Sequence, residues 1–121
     1  MEIKKIDLDF SVCKVEDFSQ VNFEDEFVFI GKTDEENSLV CNSCFTPTNI
    51  VECENDWKCF RVQGVLDFSL VGILAKIASL LADQSISIYA VSTFNTDYVL
   101  VKQEQYDKAL LTLSLNGYDI V

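Results

Sequence analysis

The clearest pattern in the chain is helical: Leu70, Ile73, Leu74, Ile77 and Leu81 recur every three or four residues, with Gly72, Lys76, Ser79 and Asp83 on the opposite side. That spacing predicts an amphipathic helix over 70–81. Ala75, Ala78 and Ala82 are small enough to let it lie close on a sheet, and Ser69 or Asp67 can cap its start. Before it, Trp57 to Gln63 is a run of bulky and β-branched residues closed by Gly64, which reads as a strand. After it come two more strands, Ile86–Ser92 and Tyr98–Val101, separated by the polar turn Thr93 to Asp97. A second helix carries Tyr106, Ala109, Leu110 and Leu113 on one stripe and stops at Asn116-Gly117. Tyr118 to Val121 is a last short strand. The order β-α-β-β-α-β is the split βαβ, ferredoxin-like arrangement.

The first half repeats this order in a worn form. Strands are expected at Phe10–Val15, Glu26–Lys32 and Ser38–Asn42, with Ile50–Cys53 closing the set. The connection Asp34-Glu35-Glu36-Asn37 lies where Phe94 to Asp97 lies in the second half. The helices have shrunk: the first two strands are close together, and Pro47 interrupts the segment after Asn42. The expected fold class is α+β, two tandem ferredoxin-like βαββαβ units. Residues 1–55 form the degenerate, helix-poor unit and residues 56–121 the complete one, on a correspondence of element order rather than sequence identity.

Charge separates the halves as well. Residues 1–55 hold 13 of the 20 acids and four of the nine bases; residues 56–121 hold seven acids and five bases. The net charge of −11 sets a phosphate backbone against repulsion rather than counterion release, so no nucleic-acid partner is expected. The chain has no histidine, which removes every mechanism that needs imidazole as base, shuttle or ligand. With 49% hydrophobic residues in 121, there is ample material for a core, and disorder is excluded. Asp7 and Asp9 break up the N-terminal apolar residues, so no signal peptide is read there. The helix around Leu70 is too short and too polar to span a bilayer. The expectation is a cytoplasmic protein without a membrane partner.

Five cysteines in such a chain read most simply as reduced thiols that pack as small apolar residues. Cys41-Asn-Ser-Cys44, with Cys53 and Cys59 downstream, is the one spacing that could close a four-thiolate zinc site. Against it, Cys59 and Cys41 sit in strand-like runs where a thiol packs well, and no metal is expected. A thioredoxin-like role fits less well, because its CxxC opens a long helix and this one is followed by Phe45-Thr46-Pro47. The acidic runs Glu24-Asp25-Glu26 and Asp34-Glu35-Glu36 lack the alternation and central glycine of a calcium loop and read as solvated turns. No G-x-S-x-G or P-loop pattern occurs, so no catalytic residue and no cofactor is called for.

The segment Gly64 to Ile73 joins a strand to a helix with glycines at 64 and 72, and the following helix start has amides suited to a carboxylate. On spacing alone, the plainer reading is that it turns the chain and caps the helix.

Residues 57–121 resemble an ACT domain. The resemblance rests on Arg61-Val-Gln-Gly64-Val-Leu-Asp67-Phe-Ser-Leu-Val-Gly72-Ile-Leu, Ile86-Ser-Ile-Tyr-Ala and Ser92-Thr-Phe-Asn-Thr-Asp97-Tyr-Val-Leu-Val101. More narrowly, the chain is similar to small bacterial tandem-ACT proteins and to the ACT repeats of eukaryotic cytosolic arginine sensors. The first half, with Glu36-Asn-Ser-Leu-Val-Cys41, matches loosely and lacks the G-x-L-D-F-S loop. What the resemblance implies is a regulatory or sensing protein, not an enzyme, that binds a free amino acid or close analogue at a domain interface. It also implies side-by-side pairing of domains. The alternative is an interaction module that docks a protein partner beside a vestigial pocket.

The expected site lies where Leu66-Asp67-Phe68-Ser69-Leu70 meets the turn Ser92, Thr93, Asn95, Thr96 and Asp97. The ligand carboxylate would take helix-start amides near Ser69 to Gly72, where the macrodipole favours negative charge. Its ammonium would pair with Asp67 or Asp97 through charge-assisted bonds. Leu66 and Phe68 would form the apolar wall, and Gly72 would keep the helix face open. A sheet covered by helices on one side only would leave an apolar face bare, so a homodimer is expected.

Overall fold

In the computed structural model, which describes residues 1–63 and 72–121, the described residues form β1 (Glu2–Val15), β2 (Val28–Lys32), β3 (Asn37–Asn42), a 3-10 turn (Ser43–Phe45), β4 (Ile50–Val62), α1 (Ile73–Ala82), β5 (Tyr89–Ser92), β6 (Asp97–Lys102), α2 (Gln103–Leu115) and β7 (Asp119–Ile120). Two compact units result, one of Met1–Asp7 with Lys58–Val121 and one of Leu8–Trp57. Two strands are longer than their sequence pattern suggests, and each contributes to both units.

β1 is read from Phe10 onward in the sequence but begins at Glu2. Its buried positions explain the shortfall. Ile3 and Ile6 are buried three apart, and Phe10 is followed directly by buried Ser11, so the strict two-residue alternation fails twice. β4 fuses the two segments expected at 50–53 and 57–63 into one strand. Between them stands Asp56 at φ +67, a left-handed position that aspartate tolerates, and the alternation breaks where Cys59 and Phe60 are buried side by side.

In the larger unit the strand order is β7-β1-β4-β6-β5. β7 pairs parallel with β1 through Ile3 and Ile120, and β5 pairs antiparallel with β6 from Tyr89–Leu100 to Ser92–Asp97. Phe60, Val62, Val99 and Val101 meet Ile77 and Leu81 of α1 and Ala109 and Leu113 of α2 in one buried core. Burying such side chains contributes about 1.5–3 kcal/mol each, and this apolar contact fixes the helices on the sheet.

Both helices stop in the same way. Ile86 N–H donates to Leu81 O and Ser85 N–H to Ala82 O, with Ser85 at φ +59; Tyr118 N–H donates to Leu113 O and Gly117 N–H to Ser114 O, with Gly117 at φ +92. These are paired C-terminal bonds around a left-handed residue. The first also explains why β5 begins at Tyr89 and not at Ile86, whose amide is spent on the helix end while its side chain joins the core. On the second side of this sheet, Cys59 and Leu100, which alternate with the helix-facing residues, have no exposed surface.

The smaller unit has the strand order β2-β3-β1-β4 and, among the described residues, a 3-10 turn but no α-helix. Cys13, Val15, Leu39 and Cys41 form its buried cluster, against which Phe18, Val21, Val28 and Cys53 pack. The fully buried Ser11 hydroxyl is satisfied by donating to Asn55 Oδ1 at 2.6 Å and by sharing a hydrogen bond with Ser43 Oγ at 2.8 Å. The β2–β3 turn has the chemistry of the β5–β6 turn. Thr33 N–H donates to Glu36 O (3.0 Å) and Glu36 N–H to Thr33 Oγ1 (3.2 Å), while Thr93 N–H donates to Thr96 O (2.8 Å) and Thr96 N–H to Thr93 Oγ1 (3.3 Å). β3 and β6 also share one burial pattern along their lengths.

Candidate functional site

The candidate site belongs to the larger unit, where β4 ends, α1 begins and β5 turns into β6. Leu66, Asp67, Phe68, Ser69 and Leu70 lie outside the described residues. Of the remaining candidates, Gly72 stands at the entry to α1 and Ser92, Thr93, Asn95, Thr96 and Asp97 form the β5–β6 turn.

Gly72 is the N-cap of α1 at φ +76, ψ +6, with no side-chain cap hydrogen bond. The helix therefore opens at Ile73 with glycine in the capping place, and the expected caps Ser69 and Asp67 lie outside the described residues. A left-handed start explains the glycine, since a side chain at this φ is strained although nothing lies within 4 Å of an added Cβ. Lys76 N–H donates to Gly72 O at 2.9 Å, which closes the first helical turn. The amides ahead of it have no acceptor within the helix and carry the positive end of its dipole.

The turn is held from inside and from outside. Thr93 Oγ1 donates to Thr96 O at 2.8 Å, and Ser92 Oγ donates to Asp97 Oδ1 at 2.6 Å. Thr96 is buried, and its hydroxyl donates at 2.6 Å to the carbonyl of Val62, the last residue of β4. The turn is thus anchored where the chain leaves β4 for residues 64–71. Sequence spacing suggests Thr96 as a polar lining residue; what it cannot show is that this hydroxyl is spent on a backbone carbonyl. Thr96→Val keeps the shape and removes this donor to the Val62 carbonyl. We expect it to cost about 1–3 kcal/mol, seen as a lower urea midpoint with an unchanged m-value. An unaltered midpoint would show that the anchor is dispensable.

Nearby on β4, Arg61 Nε donates to Gln63 Oε1 (3.0 Å) and Nη1 to Tyr98 Oη (3.3 Å), with its guanidinium carbon 5.9 Å from the Tyr98 ring centre. A cleft of about 280 Å³ opens at the start of α1, lined by Met1, Gly72, Ile73, Lys76 and the turn Asn116, Gly117 and Tyr118. It includes Gly72 of the expected site residues, whereas Ser92 to Asp97 are not among its walls. Lys76 is the residue that periodicity passes over. It is exposed on the helix's polar side, as its spacing predicts, and from there it brings a cation to a cleft that also holds the helix-start residues Gly72 and Ile73.

The cysteines with metal-like spacing divide. Cys59 is in the core strand β4, Cys41 is buried on β3, and Cys44 is exposed on the 3-10 turn. Among the described residues, no group of three or more Cys, Asp or Glu side chains is placed to hold a metal ion. Among those residues, too, no helix is long and apolar enough to cross a membrane.

Solved structures of similar proteins share this architecture. A protein from Agrobacterium tumefaciens is 27% identical with a TM-score of 0.88, over 99% of this chain and 91% of its own. The regulatory subunit of aspartate kinase from Thermus thermophilus, in its ligand-free form, is 13% identical with a TM-score of 0.65, over 95% of this chain and 96% of its own. The allosteric aspartate kinase of Clostridium acetobutylicum is 17% identical with a TM-score of 0.64, over 91% of this chain and 32% of its own. The two kinase likenesses speak to the fold alone. No curated protein matches the chain. The ACT domain profile matches residues 52–114, over half the chain and most of the larger unit's helix–sheet core. With the β-α-β-β-α-β order of Lys58–Val121 and the threonine-anchored turn, that match places the chain in the ACT domain family.

Proposed function

We propose that this chain is a non-catalytic regulatory protein that binds a free amino acid, or a close analogue, at the junction of residues 66–72 with the turn Ser92 to Asp97. The observation that carries this reading is the Thr96-to-Val62 hydrogen bond, which holds the β5–β6 turn at the β4 exit, while α1 begins nearby in sequence at Gly72. A carboxylate has helix-start amides to accept from, and the Lys76 ammonium in the adjoining cleft adds a complementary charge. Asp97, already oriented by Ser92, and Asp67 are the acids available to an ammonium group. ACT-family membership supports the same ligand class and a homodimer built by side-by-side pairing. The edge that would serve is β5, the last strand of its sheet.

The test is a thermal-shift screen across the natural amino acids. A ligand at about a hundred times its Kd adds roughly 2.7 kcal/mol, which raises Tm by several degrees in a domain of this size. Asp67→Asn and Asp97→Asn retain hydrogen-bonding oxygens but cannot neutralise an ammonium. We expect at least one of them to lose the ligand-induced shift while keeping its own Tm. A variant that melts several degrees lower with its ligand response intact would make that aspartate structural. The second reading, a protein-docking module, is favoured by Phe94, which is 80% exposed at the tip of the turn. A flat response to every amino acid would favour it.

A further inference from the structure

The smaller unit holds a thiol pair that the amino-acid site does not use. Cys13 on β1 and Cys53 on β4 have their sulfur atoms 2.8 Å apart. One step along the same two strands, Ser11 Oγ donates to Asn55 Oδ1 at 2.6 Å, so both pairs face each other across a shared register. The cysteines therefore meet on paired strands and not through a mobile segment. A disulfide needs its sulfurs at about 2.05 Å, less than an ångström closer than they stand. We infer that Cys13 and Cys53 form a reversible intrachain disulfide, closed by exchange with a small-molecule disulfide and opened by small thiols.

Access assigns the order of events. Cys13 is 3% exposed, while Cys53 is partly exposed at the edge of the buried cluster. Burial, reinforced by the Cys53 sulfur, also holds the Cys13 thiol well above the ordinary thiol range, so Cys13 remains protonated at neutral pH. Cys53, as thiolate, attacks one sulfur of the small disulfide; the S–S bond breaks and one small thiolate leaves. Cys13 gives its proton to that thiolate and attacks the Cys53 sulfur, and the second small thiolate departs and takes up the proton released by Cys53. Two protein thiols are oxidised to one disulfide, and one small disulfide is reduced to two small thiols. Cys41, on the neighbouring strand β3, is the competing buried thiol.

The experiment uses the full chain carrying Cys44→Ser, which removes the exposed thiol and its intermolecular chemistry. The protein is equilibrated with oxidised glutathione, freed of it, denatured and alkylated with N-ethylmaleimide. The expected result is loss of two of its four alkylation sites, a peptide joining Cys13 to Cys53, and recovery of both sites with dithiothreitol. Adding Cys53→Ala, at a partly exposed position, is expected to leave Cys13 fully alkylated. Full alkylation of Cys13 and Cys53 after oxidation would overturn the inference, and so would a bridge that joins Cys41 to either of them.

Discussion

Phe60→Ala is expected to remove about 3–5 kcal/mol of folding stability, the range for truncating a large aromatic side chain in a packed core. Phe60 has no exposed surface and sits on β4 in one buried cluster with Val62, Val101, Ile77 and Leu113, so its loss leaves a large cavity between the sheet and the helices. Proteins of this size have about 5–15 kcal/mol of net stability, and the variant would be left with a small remainder or none. The check is a guanidinium titration. Its midpoint should fall sharply with a similar m-value, and Phe60→Leu, which refills most of the volume, should fall far less. If the alanine and leucine variants melt alike, the core does not depend on this ring.

Stability is expected to fall steeply on the alkaline side. Burial pushes the Cys59 thiol from 9.0 up to about 12, with the Arg61 charge opposing part of the rise. Burial raises Tyr106 as well; its hydroxyl donates to Cys59 O at 2.9 Å. Burial likewise raises Cys41. In each case the folded chain keeps a proton that the unfolded chain releases. The associated stability is fully present below the unfolded pKa, near pH 9 for the thiols, and is lost as pH rises toward the folded value. For Cys59 the three-unit difference corresponds to about 4 kcal/mol between pH 9 and pH 12. Urea midpoints at steps from pH 7 to pH 11 should therefore hold steady to about pH 9 and then drop. Cys59→Ala should start lower, because it leaves a small cavity, and decline less steeply. A parallel decline in the two proteins would remove Cys59 as a cause.

Much of the larger unit was legible in its sequence because its information is local. The helix over 73–82 follows from Ile73, Leu74, Ile77 and Leu81 on one stripe, and the stop of α2 follows from Asn116-Gly117, with Gly117 at φ +92. Thr93 and Thr33 close their turns by bonds to residues three positions on, so the matching hairpins also have a short-range cause. The ACT resemblance in residues 57–121 belongs to the same class of signal, and the profile match to 52–114 agrees with it.

What the sequence by itself determined was the kind and order of the elements in the second half and the scarcity of helix in the first. Side-chain period, turn chemistry and helix ends act within a few residues, and nothing distant had to be known. Tertiary structure decided the rest. Glu2 to Asp7 extend β1 into the unit of Lys58–Val121, where Gln63 N–H donates to Glu2 O at 2.9 Å, a pairing across the whole first half that no local period encodes. β4 runs as one strand through Asp56 at φ +67, although its two halves read as separate segments in the sequence. Lys76 reaches a cleft shared with Asn116 and Tyr118, Thr96 spends its hydroxyl on Val62, and Cys13 meets Cys53 across 40 positions. Each of these depends on which strand or helix lies alongside, and only the packed chain supplies that neighbour.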